Sequence, residues 1–244
     1  MTPKIVFSDF DGTLTKGTEF TAQFFSIIEL LESKGIDLVI VTGRSLSWAH
    51  FLITHFTYLK YVIAEGGGVL VRRDKHGNPL DIPLVEKGNI THLRGVTKSL
   101  LKKFSKLKLS ADSFGRLTDR AIELSDLLSD VSMLKDVKTF LDKEKIEFST
   151  SNVHLNFWSG DISKYKAVKE FLDKYFPEIS VEECIYFGDS LNDQSMFRYF
   201  EHSVGVSSIN EILSKLEYRP KLILNGDEND GPDGVYNHLC TLLK

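Results

Sequence analysis

Two segments of this chain gather carboxylates where they could do chemistry. In Asp9-Phe10-Asp11-Gly12-Thr13, two aspartates stand one residue apart directly after the apolar run Ile5-Val6-Phe7. Side chains at i and i+2 of extended backbone leave from one face, so both carboxylates can reach the same small pocket. Their repulsion has to be relieved by a cation or a shared proton, the situation of metal sites and of acid/base pairs. A hairpin turn is the alternative, since Asp-Gly is a strong two-residue turn. The second segment, Gly188-Asp189-Ser190-Leu191-Asn192-Asp193, also follows an apolar run, Cys184 to Phe187. Ser190 and Asp193 have capping-box spacing, and a helix start accounts for both. It leaves Asp189 and Asn192 unexplained. A hard cation with oxygen ligands could use Asp189 together with the first pair, if all three lie at the carboxyl ends of neighbouring strands.

Two further segments suit an anion. Thr42-Gly43-Arg44 offers a hydroxyl, a glycine amide and the start of a helix, although an ordinary strand-to-helix loop uses the same residues. In Ile162-Ser163-Lys164-Tyr165-Lys166, Ser163 can cap a helix, which puts Lys164 in the first turn, where a cation opposes the helix dipole. A bound phosphate would supply the reason. Otherwise the lysine simply extends into solvent.

The elements that must position these residues follow from apolar periodicity. Ile5-Val6-Phe7, Asp37 to Val41, Tyr61 to Ala64, Cys184 to Phe187 and Ser203 to Val206 read as buried strands. Between them, Glu19 to Ser33 (Phe20, Phe24, Ile27, Ile28, Leu31, then Gly35), a stretch through Trp48, Phe51 and Leu52, Tyr165 to Tyr175 and Asn192 to Phe200 read as helices. Strand–helix alternation predicts a Rossmann-like, doubly wound parallel α/β sheet, with ligands beyond the carboxyl ends of its strands. The texture changes in the middle. Helical stretches at Asn89 to Leu107 and Leu134 to Lys143, with β-like pieces at Glu123-Leu124 and Val153 to Trp158, predict an inserted α+β module. The division is a discontinuous core, residues 1–85 and 160–244, interrupted by a cap, residues 86–159. Asn225 to Gly234 reads as a loop before a short final helix.

Composition narrows the function. With 30 Lys and Arg against 34 Asp and Glu in 244 residues, the formal charge of −4 provides no broad basic surface for nucleic acid. Cys184 and Cys240 are far apart and form no CxxC pair, and no apolar run reaches the ~18 residues of a membrane span. A soluble, cytoplasmic protein, monomeric or homodimeric, with no nucleic-acid or membrane partner is the expectation.

Taken in order, the four segments resemble the motifs of the haloacid dehalogenase superfamily of phosphohydrolases: Asp9 to Thr13 its DxDGT element, Thr42-Gly43-Arg44 the second, Lys164 the third and Gly188 to Asp193 the GDxxND fourth. The inserted module is similar to the C2B type of cap in the Cof-like and sugar-phosphatase branch, which includes sucrose-phosphate and mannosyl-3-phosphoglycerate phosphatases. Ser163-Lys164 and Lys166-Ala167-Val168 resemble that branch's SKGKAV element with Tyr165 in place of glycine, which leaves Lys166 as an alternative to Lys164. Glu65-Gly66-Gly67-Gly68 resembles an ENG element with Gly66 in place of asparagine.

The resemblance implies a phosphomonoesterase acting on a small phosphate ester. Asp9 would be the nucleophile forming an aspartyl-phosphate, and Asp11 the acid that protonates the leaving alkoxide and the base that then activates water. Mg²⁺ would be held by Asp9, Asp189 and the Asp11 carbonyl. Lys164, Thr42 and the amides of Gly12 and Gly43 would hold phosphoryl oxygens, with Arg44 and Asn192 as substrate contacts and Thr13 and Asp193 in support. In the cap, Arg116, Arg120, His154, Asn156 and Trp158 are the candidates for selecting the leaving group. A phosphomutase with the same nucleophile, or a receiver-like module phosphorylated on aspartate, are the alternatives; the large cap argues against the latter.

Overall fold

The computed structural model describes residues 2–128, 132–150 and 154–244. Its first part runs β1 (Ile5–Ser8), α1 (Ala22–Lys34), β2 (Asp37–Val41), α2 (Leu46–His55), β3 (Tyr61–Ala64), β4 (Val69–Arg73) and β5 (Pro79–Pro83). The middle part holds α3 (Lys87–Lys103), β6 (Asp119–Glu123), α4 (Leu124–Leu128), α5 (Met133–Lys143), β7 (Glu147–Thr150) and β8 (His154–Trp158). The chain then returns through α6 (Lys164–Tyr175), β9 (Cys184–Gly188), α7 (Gln194–Tyr199), β10 (Ser203–Gly205), β11 (Leu222–Ile223) and α8 (Gly231–Leu242).

One eight-stranded sheet has the order β11-β10-β9-β1-β2-β3-β4-β5. The strands from β11 to β3 pair in parallel, while β4 and β5 add an antiparallel hairpin at the edge. Four residues between β3 and β4 are too few for a parallel crossover, so the chain doubles back. Strand order reverses at β1, which lies between β2 and β9, and the crevice beyond the carboxyl ends of β1 and β9 is where such sheets bind ligands.

Alternation along β1 divides the core between the two faces. Val6 joins the cluster with α1, α2 and α8 (Phe24, Leu52, Leu239), whereas Ile5 and Phe7 join that with α6 and α7 (Phe171, Phe197). Phe7 meets the rings of Phe171 and Phe200 edge-on, with centroids 6.0 and 5.9 Å apart. Burying each such ring contributes roughly 1.5–3 kcal/mol, which is what fixes the end of β1 in place.

The inserted part is an antiparallel sheet in the order β6-β8-β7, with α3 (Leu93, Leu100) and α5 (Val137, Leu141) packed on the face that Leu155 and Phe157 of β8 present. The sequence expectations need adjustment here. The helix expected to reach Leu107 ends at Lys103, β7 was not anticipated, and Glu123-Leu124 is the junction of a strand with the helix that follows it. Val153 lies outside the described residues, and β8 runs from His154. Near the C-terminus, Gly231 to Gly234 belong to the final helix, because proline at the first turn is compatible with helix. Among the described residues, no helix is long and apolar enough to cross a membrane.

Candidate active site

Asp9 stands one residue past β1, and its N–H donates to the Phe187 carbonyl at 2.9 Å, so the β1–β9 pairing continues to the point where the first carboxylate leaves the sheet. Asp189 stands one residue past β9. Lys164 opens α6, whose cap Ser163 accepts the Lys166 N–H through its hydroxyl, and its side chain runs inward until only 3% remains exposed. Its ammonium donates to Asp9 Oδ1 at 2.8 Å and to Asp193 Oδ1 at 2.7 Å, with Tyr186 Oη at 3.4 Å. Lys166 is exposed and paired with Asp161.

Asp193 is fully buried and saturated with donors. Oδ1 accepts from Lys164 and the Tyr186 hydroxyl, and Oδ2 from the Asp189 and Ser190 N–H groups at 3.0 Å each and from Ser190 Oγ at 3.1 Å. The capping contact and the lysine contact therefore coexist on one side chain. Asp189 is engaged differently, accepting among the described residues only the Thr13 hydroxyl at 2.8 Å, on Oδ1. Gly12 lies against its other oxygen. With φ at +80° and the position of a Cβ only 2.4 Å from Asp189 Oδ2, residue 12 must be glycine.

Ligand oxygens of Asp9, Asp189 and Asp193 lie within 4.8 Å of one another. Burial raises the Asp9 pKa to about 7, Lys164 opposing the shift and Asp193 adding to it. Asp189 is pushed well up by burial and by Asp9 and Asp193. For Lys164, burial works against the charge, but Asp193 and Asp9 outweigh it and the pKa rises. The adjacent carboxylates of buried Asp9 and half-buried Asp189, both of which resist ionisation, with Asp193 already saturated by donors, fit a hard divalent cation held by oxygen. The carboxylates that converge are thus Asp9, Asp189 and Asp193. Asp11 is elsewhere: Arg44 grips its carboxylate through Nε, at 3.0 and 2.8 Å from its two oxygens, and through Nη2, and stacks 4.6 Å over the Trp48 ring. Any part Asp11 has in a metal site falls to its main chain.

Thr42 is buried at the end of β2 and accepts the Arg44 N–H on its hydroxyl at 3.0 Å, while Gly43 and Asn192 are exposed. The cap residues divide. Arg116 is buried, paired with Asp112 and with Asp119 at 2.8 Å, and donates to the Gly43 carbonyl at 3.1 Å, so it joins cap to core instead of offering a free charge. Half-buried Arg120 donates to the Arg116 carbonyl at 3.0 Å. Asn156 donates to Asp119 at 3.1 Å and His154 lies beside Glu123 at 3.2 Å, on the face of β8 opposite α3 and α5, which half-buried Trp158 shares by alternation. Tyr186 was not among the expected site residues, although a tyrosine in an otherwise apolar strand was the available signal.

The family model of the haloacid dehalogenase-like hydrolases matches residues 6–94 and 86–231. A protein from Thermoplasma acidophilum is similar in structure, with 15% identity, a TM-score of 0.74, and 99% of this chain and 100% of that one covered. A haloacid dehalogenase-like hydrolase from Bacteroides thetaiotaomicron follows at 17% identity and a TM-score of 0.73, covering 97% and 99%. The sucrose-phosphatase from Synechocystis, solved with sucrose and phosphate, shares 16% identity and a TM-score of 0.69 over 99% and 98%. At these identities the likeness speaks for the fold. A search of curated proteins returns no match.

Proposed function

Because the chain belongs to the haloacid dehalogenase-like hydrolases, we propose that it is a phosphomonoesterase that transfers the phosphoryl group of a small metabolite to Asp9 and then to water. The observation that carries this reading is the buried Lys164, held between Asp9 and Asp193 beside Asp189 at the switch point of the sheet.

Asp9 attacks phosphorus in line, the P–O bond to the leaving group breaks, and an aspartyl-phosphate forms. Lys164 engages only Oδ1 of Asp9, and its ammonium is placed to pair with a phosphoryl oxygen as charge develops. Thr42 and the Gly12 and Gly43 amides line the same end of the sheet. Asp11 leaves Arg44 for the ester oxygen, takes up a proton from solvent and gives it to the departing alkoxide as the P–O bond breaks, then takes one from the water that attacks the aspartyl-phosphate. Asp9 and Asp189, with the Asp11 carbonyl, would hold Mg²⁺, which when bound supplies positive charge against the phosphoryl oxygens.

The leaving group falls to the cap. On the half-buried face of β8, Asn156, His154 and Trp158 offer an amide, an imidazole and a flat ring, a chemistry suited to a sugar or polyol, and the fold is shared with a sucrose-phosphatase. A sugar phosphate or a phosphoglycerate-linked glycoside is therefore the proposed substrate class, in a cytoplasmic protein. Purified protein is expected to release inorganic phosphate from p-nitrophenyl phosphate with Mg²⁺, and to lose this with EDTA or in Asp9→Asn. Full activity in Asp9→Asn would refute the nucleophile, and a phosphorylated product dependent on a bisphosphate would make the protein a mutase.

A further inference from the structure

Glu65 follows β3 at the core's ligand-binding edge and is buried, yet every hydrogen bond its carboxylate accepts comes from the cap. Oε1 takes the Leu117 N–H at 2.8 Å, and Oε2 takes the Thr118 N–H and hydroxyl at 2.6 Å each and the Asp119 N–H at 3.3 Å. These donors form the approach to β6. The loop carrying Glu65 is shaped for that approach, because a Cβ at Gly68 would lie 1.9 Å from Thr118 Oγ1.

The backbone points the same way. Glu65, Gly66 and Gly67 all have positive φ, at +54°, +66° and +114°. Glycine adopts this conformation freely, and an L-residue does so under strain. A glycine at position 65 would relieve that strain, whereas the glutamate offsets it through the hydrogen bonds of its carboxylate. The same cap segment touches the core twice more: Arg116 donates to the Gly43 carbonyl, and a Cβ at Gly115 would lie 2.1 Å from Ser47 Oγ. Arg116 also neutralises Asp119, which allows two carboxylates to sit close together.

We propose that Glu65 is a positioning residue that clasps the cap to the core, seating Asp119, and through it Arg116 and Asn156, against Gly43 on the Arg44 side of the site. The assignment rests on reading this site as a phosphatase, where that side receives the leaving group. A seated cap restricts which esters enter, so releasing the clasp relaxes selection by size while Asp9, Lys164 and Asp189 stay in place.

Wild type, Glu65→Gln, Glu65→Ala and the milder Thr118→Val are compared on p-nitrophenyl phosphate and on a bulkier phosphotyrosyl peptide. The ratio of kcat/KM for peptide over p-nitrophenyl phosphate is expected to rise about tenfold in Glu65→Ala and less in the other two. A loss of general stability lowers both rates together, and a ratio within twofold of wild type in all three variants overturns the proposal. Hydrogen exchange on the intact protein supplies a readout independent of activity. The Leu117 and Thr118 amides should exchange at least tenfold faster in Glu65→Ala, with Leu155 and Phe157 of β8 unchanged, and retained protection of Leu117 and Thr118 overturns the clasp. If wild type hydrolyses neither ester while these amides deprotect, the phosphatase reading fails and the clasp stands.

Discussion

Replacing either of two aspartates four residues apart by asparagine should change the stability of the metal-free protein in opposite directions. Asp189 is held by one hydrogen bond, from Thr13, and lies with Asp9 and Asp193 inside a 4.8 Å cluster of carboxylate oxygens. Two unit charges that close repel by about 3–4 kcal/mol at an effective dielectric near 20. Lys164 and partial protonation offset part of this, leaving about 2 kcal/mol that Asp189→Asn removes while its amide oxygen still accepts from Thr13. Asp193 is the reverse case, since it takes five donors and is one of two carboxylates compensating a buried ammonium. An asparagine there turns an NH₂ toward donors and leaves Lys164 with Asp9 alone, at a cost of about 3 kcal/mol. For a chain of this length ~1 kcal/mol moves Tm by roughly 2–4 °C. Calorimetry in EDTA should therefore show Asp189→Asn melting about 4–8 °C above wild type and Asp193→Asn about 6–12 °C below it. With Mg²⁺ added, wild type should gain stability and Asp189→Asn should not. A fall in Tm for Asp189→Asn in EDTA would refute the electrostatic reasoning.

Other outcomes follow from the same geometry. Lys164→Ala should reduce turnover of p-nitrophenyl phosphate about 10²–10³-fold, the scale of losing one preorganised oxyanion partner, whereas Lys166→Ala, which removes an exposed pair, should stay within about twofold; the reverse order would shift the assignment by two residues. Metal binding should release protons. The Asp9 pKa is raised to about 7, Asp189 is pushed up as well, and the metal needs both ionised, so apparent affinity should fall about tenfold or more per pH unit below 7, as titration calorimetry in two buffers of different ionisation enthalpy would register. Burial pushes the Cys184 thiol up to about 12, so at pH 8 a thiol reagent should modify only Cys240 in the folded protein and both cysteines in guanidinium.

The site was legible wherever chemistry coincided with a strand end. Asp9 and Asp189 each follow an apolar run that reads as a buried strand, and neighbouring parallel strands bring their ends together although the two aspartates are 180 positions apart. What the sequence concealed are pairings that depend on where a loop folds back. Nothing local in Arg44 indicates that it grips Asp11, nor in Arg116 that it is buried between Asp112 and Asp119. The carboxylate of Glu65 finds its donors more than 50 residues away, in a segment with no apolar periodicity to announce it. Boundaries suffered where no breaker separates elements, as at Glu123-Leu124, and α8 was obscured because its first residues, Gly231 to Gly234, have the composition of a loop.

The central position of β1 also bears on synthesis. This strand leaves the ribosome ahead of both its partners but lies between β2 and β9, and its second neighbour, residues 184–188, emerges long after the first. Until β9 emerges one rim of β1 displays unsatisfied amide and carbonyl groups on an apolar ribbon, the template from which unwanted strand addition grows. Fragments ending before β9 should therefore accumulate as insoluble material, and the burden of shielding that rim falls on whatever chaperones meet the nascent chain.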